Sequence, residues 1–235
     1  MNTLEIAAIG LQHDLDRLKL TSHNVANLST PGYKRQVAVQ TPFADLMSAT
    51  GELQVQTDGR TGKLNATGQA LDIALPDGRY LLLEADDGSQ ALSRQGALQI
   101  DAQGLLRTLS GHKVLGARGA ISLRADQRTD LEIDAQGQLK QQGQVLDALR
   151  LIGTKASAAL RPLGEGLYVA DSSQWEAESA AIGVRSGHLE QSNVVPSQEM
   201  VTLMSTTRHA ETMVRLFQAA DDMQATAIRR LGENT

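Results

Sequence analysis

The chain has 235 residues, a net charge of −5, a pI near 5.5 and no cysteine. Those values exclude a disulfide framework and a thiolate metal site, and they argue against a nucleic-acid partner, because the 22 Lys and Arg form no basic cluster. Aromatic residues supply only 3% of the chain, so the core must be built from Leu, Val, Ile and Ala.

The opening stretch, MNTLEIAAIGLQHDLDRLKL, lacks a basic start and is broken by Glu5, Asp14, Asp16, Arg17 and Lys19. No cleaved secretory leader is expected from it, and nowhere does the chain reach the roughly 20 apolar residues of a membrane span. Instead Leu4, Ala8, Leu11, Leu15, Leu18 and Val25 recur at steps of four and three, the spacing of a coiled-coil seam. A helix is expected over residues 4–28. Pro31 then forbids its continuation, and Pro31-Gly32 suits a type II turn, with Pro fixing φ and Gly supplying φ > 0. Residues 36–70 are polar and rich in Gly and Thr and read as an extended connector.

From residue 71 to 186 short strands alternate with Gly and Asp turns. Gln99-Ile100-Asp101-Ala102-Gln103-Gly104 nearly recurs as Glu132-Ile133-Asp134-Ala135-Gln136-Gly137, each a strand running into an Asp-x-x-Gly turn. Tyr80 to Ala85 and Gln90 to Arg94 make another hairpin around Asp86-Asp87-Gly88. Further strands are expected at Leu71–Leu75, Ala120–Leu123, Leu146–Ile152 and Gly166–Val169. The Asp-x-x-Gly turns lack the alternating carboxylates of a calcium loop, so no metal is expected there.

A second helix is expected over 197–231, capped by Ser197 with Glu199 in its first turn. One seam runs Met200, Leu203, Thr207, Ala210, Val214, Phe217. Another lies beside it: Met213, Leu216, Ala220, Met223, Ala227, Leu231. One partner helix cannot cover both, so several neighbours are expected, and both ends should stay mobile until they arrive. The whole reads as an α+β fold, with long coiled-coil-like N- and C-terminal helices in a discontinuous helical domain flanking a central antiparallel β-rich domain. Segment 1–35 pairs with 187–235, 36–70 connects, and 71–186 forms the β-domain.

Catalytic signals are missing. There is no Gly-rich phosphate loop, no His-Glu-x-x-His and no Gly-x-Ser-x-Gly, and the five histidines do not cluster in sequence. The chain is read as a non-enzyme with no catalytic residue, cofactor or metal.

Several motifs in order carry a resemblance. Asn24-Val25-Ala26-Asn27-Leu28-Ser29-Thr30-Pro31-Gly32-Tyr33-Lys34-Arg35 comes first, then Thr67-Gly68-Gln69-Ala70-Leu71-Asp72-Ile73-Ala74. Ser93-Arg94-Gln95-Gly96, Gly111-His112-Lys113-Val114-Leu115-Gly116 and Gly164-Glu165-Gly166-Leu167-Tyr168 follow. Last is Gly187-His188-Leu189-Glu190-Gln191-Ser192-Asn193-Val194, with Glu199-Met200-Val201 and Arg208 beyond it. Together they resemble the flagellar basal-body rod protein family over nearly the whole chain. Two departures stand out: His23 replaces the family's usual first Asn, and Leu75-Pro76-Asp77-Gly78-Arg79-Tyr80 replaces its Gly-x-Gly-Phe run. Length and the Leu-Glu-x-Ser-Asn-Val-x-Pro run lean toward the proximal-rod members, with the distal-rod members next.

The resemblance implies a structural subunit that polymerises through its terminal helices into a torque-transmitting shaft for motility. It implies export by the flagellar type III apparatus and a place in the periplasmic basal body. Partners would be other rod subunits, with hook-side or bushing components as further neighbours, and neither nucleic acid nor inserted membrane. The assembly residues would be Leu4, Leu11, Leu15, Leu18, Asn24, Asn27, Thr30, Pro31, Gly32 and Tyr33 at one end. At the other they would be Leu189, Glu190, Ser192, Asn193, Met200, Leu203, Val214 and Phe217. The rival reading is a soluble periplasmic glycan-binding module or wall-modifying enzyme whose helices only dimerise it.

Overall fold

The computed structural model describes residues 3–39, 54–85, 88–124, 130–154, 160–164, 166–169, 173, 175–176 and 183–232. The centre of the expected connector, 40–53, and the Asp86-Asp87 turn lie outside these residues. The chain forms two units: Met1–Ala26 with Gln36–Val55 and Val195–Thr235, and Asn27–Arg35 with Gln56–Val194.

The first unit holds the two helices, Thr3–Ala26 and Pro196–Gly232. The second helix opens one residue earlier than its Ser197 signal suggests. Gln198 and Glu199 N–H donate to Val195 O at 3.1 and 3.2 Å, which puts Pro196 at the first helical position, where its missing N–H costs nothing. The helices run antiparallel. His209 Nδ1 lies 2.6 Å from Asp14 Oδ2, and Asn24 Nδ2 donates to Glu199 Oε2 at 3.2 Å.

The expected fold class needs correction. The described residues contain only two helices, one at each end, beside a large antiparallel β-rich body; no coiled-coil helices flank it. The side chains give the reason. A coiled coil buries its apolar seam, yet here Leu15 is 44% exposed, Met200 56%, Leu203 37% and Val214 42%. Among the described side chains, the buried positions of the helices are polar: Asp14, Thr21 and Asn24 on one, Glu199 and Thr206 on the other. On the first helix this face is displaced by one residue from the apolar seam, about 100° around the axis. The helices thus bury polar side chains most deeply, while Leu11, Leu18 and Phe217 are only half-buried.

The ladders described in the second unit are antiparallel. Its largest sheet runs Arg161–Gly164, Leu167–Val169, Gln90–Ser93, Arg79–Glu84, Lys113–Gly116, Leu106–Thr108, Leu98–Ile100. Leu151–Thr154 also pairs with Arg79–Glu84, joining Leu81 to Leu151 and Tyr80 to Ile152. Arg79–Glu84 is buried on both faces, so it reads Tyr-Leu-Leu-Leu instead of alternating with polar residues. Leu81 and Leu83 enter one core with Ile73, Leu98, Leu106, Val114 and Leu139, while Tyr80 and Leu82 enter another with Leu92, Ile152 and Tyr168. Two short ladders, Arg185–Ser186 on Ile73–Ala74 and His188–Glu190 on Leu64–Ala66, attach the returning chain to this unit.

The paired Asp-x-x-Gly turns form alike. Asp101 O accepts from Gly104 N and its Oδ1 from Leu105 N; Asp134 O accepts from Gly137 N and its Oδ1 from Gln138 N. Six residues on, a cation completes each: Arg107 Nε on Asp101 Oδ2 and Lys140 Nζ on Asp134 Oδ2, both at 2.6 Å. These carboxylates are thus engaged by backbone and cation. Although burial pushes both upward, the cation and the backbone N–H donors hold them below the usual carboxylate range.

Candidate functional site

The turn after the first helix forms as its residues dictate. Tyr33 N–H donates to Thr30 O at 3.3 Å, Gly32 sits at φ 71°, and Thr30 Oγ1 donates to Asn27 Oδ1 at 3.1 Å. Gly32 N–H donates to Glu190 O at 2.8 Å, and a methyl on Gly32 would lie 2.3 Å from Arg94 O. Only glycine meets both demands. The turn delivers Tyr33 and Lys34 into the interior of the second unit, 5% and 1% exposed.

There Lys34 joins Arg94 and Glu190, both 2% exposed. The Glu190 carboxylate accepts four bonds: from Lys34 Nζ at 2.6 Å, Gly62 N at 2.9 Å, Arg94 Nε at 2.9 Å and Arg94 Nη2 at 2.6 Å. One anion is thus shared by two cations. Carbonyls complete the cations: Arg60 O takes Lys34 Nζ at 2.7 Å, and Leu75, Pro76 and Arg79 O take the Arg94 guanidinium at 3.1, 3.0 and 2.7 Å. The atypical Leu75–Tyr80 segment is therefore the carbonyl cradle of Arg94. Arg94 also lies over the Tyr80 ring, 5.6 Å from its centroid, and Tyr168 Oη accepts from Lys34 N at 3.1 Å.

The electrostatics follow from burial. Loss of water and the Arg94 charge lower the Lys34 pKa, against the pull of Glu190. Burial pushes Glu190 up, but the Arg94 charge, the Lys34 hydrogen bond and the Gly62 N–H outweigh it and hold the carboxyl below its usual range. Burial pushes the Tyr168 phenol up, so it stays neutral. The cluster is a clasp: it holds three segments that are remote in sequence, and its polar atoms face inward.

Asn193 supplies a second fastening in the same unit. Its Oδ1 accepts from Arg35 N at 2.6 Å and its Nδ2 donates to Asp58 O and Arg60 O at 3.0 and 2.9 Å. Ser192 Oγ accepts from Val194 N at 3.3 Å, shaping the return. Leu189, half-buried, sits in the ladder opposite Asn65.

The first unit places the other expected residues differently. Asn24, 1% exposed, accepts from Gln36 N and donates to Gln36 O, both at 2.9 Å, besides reaching Glu199. Leu11, Leu18 and Phe217 are half-buried, while Leu15, Met200, Leu203 and Val214 are exposed; Leu4 lies on the helix, its side chain outside the described set. Val201, Met204, Leu216 and Met223 extend the exposed apolar surface of the second helix.

Sequence reasoning named Asn24, Gly32, Tyr33, Glu190 and Asn193. It missed the partners Lys34 and Arg94, and Asp14 with His209. Lys34 and Arg94 each stand inside a motif already singled out, and that was the available signal. No described helix is long and apolar enough to cross a membrane.

Comparison with known proteins bears on these segments. Residues 185–230 match the family profile described as flagellar basal body rod FlgEFG protein C-terminal. The chain is 29% identical to a flagellar basal-body rod protein FlgG of Agrobacterium fabrum, over 98% of this chain and 100% of the relative. It is 28% identical to FlgF of Mesorhizobium japonicum, over 97% of each, and 27% identical to FlgF of Salmonella typhimurium, over 91% of each.

Proposed function

We propose a part for this chain within the family to which it belongs, the flagellar basal-body rod proteins. It is a structural subunit of the bacterial flagellar rod, in the service of motility. In our reading it joins other rod subunits through the exposed apolar surface of its terminal helices. The observation that carries this is that surface itself: Leu15, Met200, Val201, Leu203, Met204, Val214, Leu216 and Met223 lie open on the two helices. A soluble protein keeps so much apolar area on one element uncovered when a partner covers it. Head-to-tail contacts of this kind need not close, and so build a shaft.

The role is mechanical. The Lys34–Arg94–Glu190 clasp fastens the chain where it enters and leaves the β-rich unit, so load on the termini is borne by buried charge pairs and not by a single strand. A proximal-rod, FlgF-like position is favoured over a distal, FlgG-like one. The alignments to the two FlgF relatives span 238 and 231 residues, near this chain's 235, whereas that to the Agrobacterium FlgG spans 272. Export by the flagellar type III apparatus into the periplasmic basal body completes the reading.

The test is location. An epitope-tagged chain should co-purify with intact basal bodies and map to the cell-proximal part of the rod. A chain that stays soluble in the periplasm and binds peptidoglycan fragments saturably would overturn the assignment.

A further inference from the structure

The contact between the two helices keeps one register throughout. A methyl on Gly10 would lie 3.6 Å from Met213 Cε. Four residues forward, Asp14 meets His209, which is four residues back. Ten further forward, Asn24 meets Glu199, ten further back. Both side-chain contacts are polar, and three of the four residues are nearly inaccessible: Asp14 5% exposed, Asn24 and Glu199 1% each.

Apolar side chains tolerate sliding, because one Leu packs against another at many offsets. A buried carboxylate does not, since any shift strands it without a partner. The helices carry far more apolar surface on their other faces, so greasy pairing alone would offer several offsets of similar energy. We infer that Asp14–His209 and Asn24–Glu199 form a register lock. They fix the antiparallel offset of the N- and C-terminal helices, and they turn Leu15, Leu203 and Val214 outward together. The lock lies within a single chain, so it stands or falls independently of the rod assignment.

The chain's lack of cysteine makes the test clean. Gly10→Cys is combined with Met213→Cys, or with Thr206→Cys or Ala220→Cys, which report shifts of seven residues either way. The purified full-length chain is treated with a thiol-to-thiol crosslinker shorter than the roughly 10 Å that such a shift makes at about 1.5 Å rise per residue. With the lock present, the 10–213 product should exceed the shifted products by about tenfold or more. With Asp14→Leu and His209→Leu, or with Asn24→Leu and Glu199→Leu, the shifted products should rise to comparable yield.

Exchanging the pair, Asp14→His with His209→Asp, should restore the 10–213 preference. Persistence of that preference in the leucine variants would overturn the lock, as would failure of the exchanged pair to restore it. If the leucine variants give no crosslink at all, the exchanged pair decides alone.

Discussion

Lys34 Nζ stands 2.6 Å from Glu190 Oε1 across 156 residues of chain, with neither side chain more than 2% exposed. Lys34 follows the first helix by eight residues and Glu190 precedes the second by six. The pair therefore ties the outgoing chain to the returning chain, and Arg94 ties both to the hairpin strand Gln90–Ser93.

The clasp should respond unequally to loss of its members. Glu190→Ala leaves two buried cations facing each other, and about 3–5 kcal/mol of unfolding free energy should be lost. Lys34→Met leaves a neutral Arg94–Glu190 pair and should cost no more than about 3 kcal/mol, the range of one charged hydrogen bond. Urea unfolding of the purified chain gives both numbers. Equal losses would mean that the carboxylate is not the centre of the cluster.

The same cluster sets a pH dependence. Glu190 has a folded-state pKa below its ordinary 4.5, so its stabilisation is complete above that value and lost as pH falls through the lowered one. Lys34 has a folded-state pKa below its ordinary 10.5, so the unfolded chain binds more protons in that interval and stability rises with pH there. The gap in urea midpoint between the natural chain and Glu190→Gln should be wide at neutral pH and narrow at acid pH below the carboxylate range. A gap that stays constant into acid would remove Glu190 as the titrating group.

What could be read in advance divides by sequence distance. The Asp101 and Asp134 turns were legible because the hydrogen bonds that close them, Gly104 N–H and Leu105 N–H to Asp101 and Gly137 N–H and Gln138 N–H to Asp134, span four residues or fewer. The Pro31-Gly32 turn was legible for the same reason. The clasp was not, because its contacts span 156 and 96 residues and nothing local marks Arg94 as the partner of Glu190. The helices were legible as helices, and their apolar stripes were found. The burial of Asp14, Asn24 and Glu199 was not legible, because periodicity ranks faces by greasiness while these residues meet their partners through polar complementarity.

Gly32 should be less replaceable than Gly78, another turn glycine of the second unit. Gly78 has a similar φ, 69° against 71°, but an added methyl there meets nothing within 4 Å. Gly78→Ala should cost only the strain of left-handed backbone, about 1–2 kcal/mol. Gly32→Ala adds a collision with Arg94 O and displaces the residue that carries the clasp, so its loss should be clearly larger. Thermal unfolding of the two variants side by side measures the difference.

Leu15 separates folding from assembly. At 44% exposure, Leu15→Asp removes little buried area and introduces a charge that water can reach, so the isolated chain should unfold within about 0.5 kcal/mol of the natural one. Any neighbour that covers this face would have to bury the new carboxylate without a partner, which costs several kcal/mol and blocks incorporation. The variant should therefore express, fold and fail to restore motility to cells lacking the natural chain. Hydrogen exchange on the unassembled protein adds a second readout. Helical amides around Leu15 and Val214 should exchange faster than those of Leu81–Leu83, whose strand is buried on both faces, because the helix pair buries less apolar surface. Normal motility with Leu15→Asp, or helical protection equal to that of the central strand, would leave the exposed face without a role in assembly.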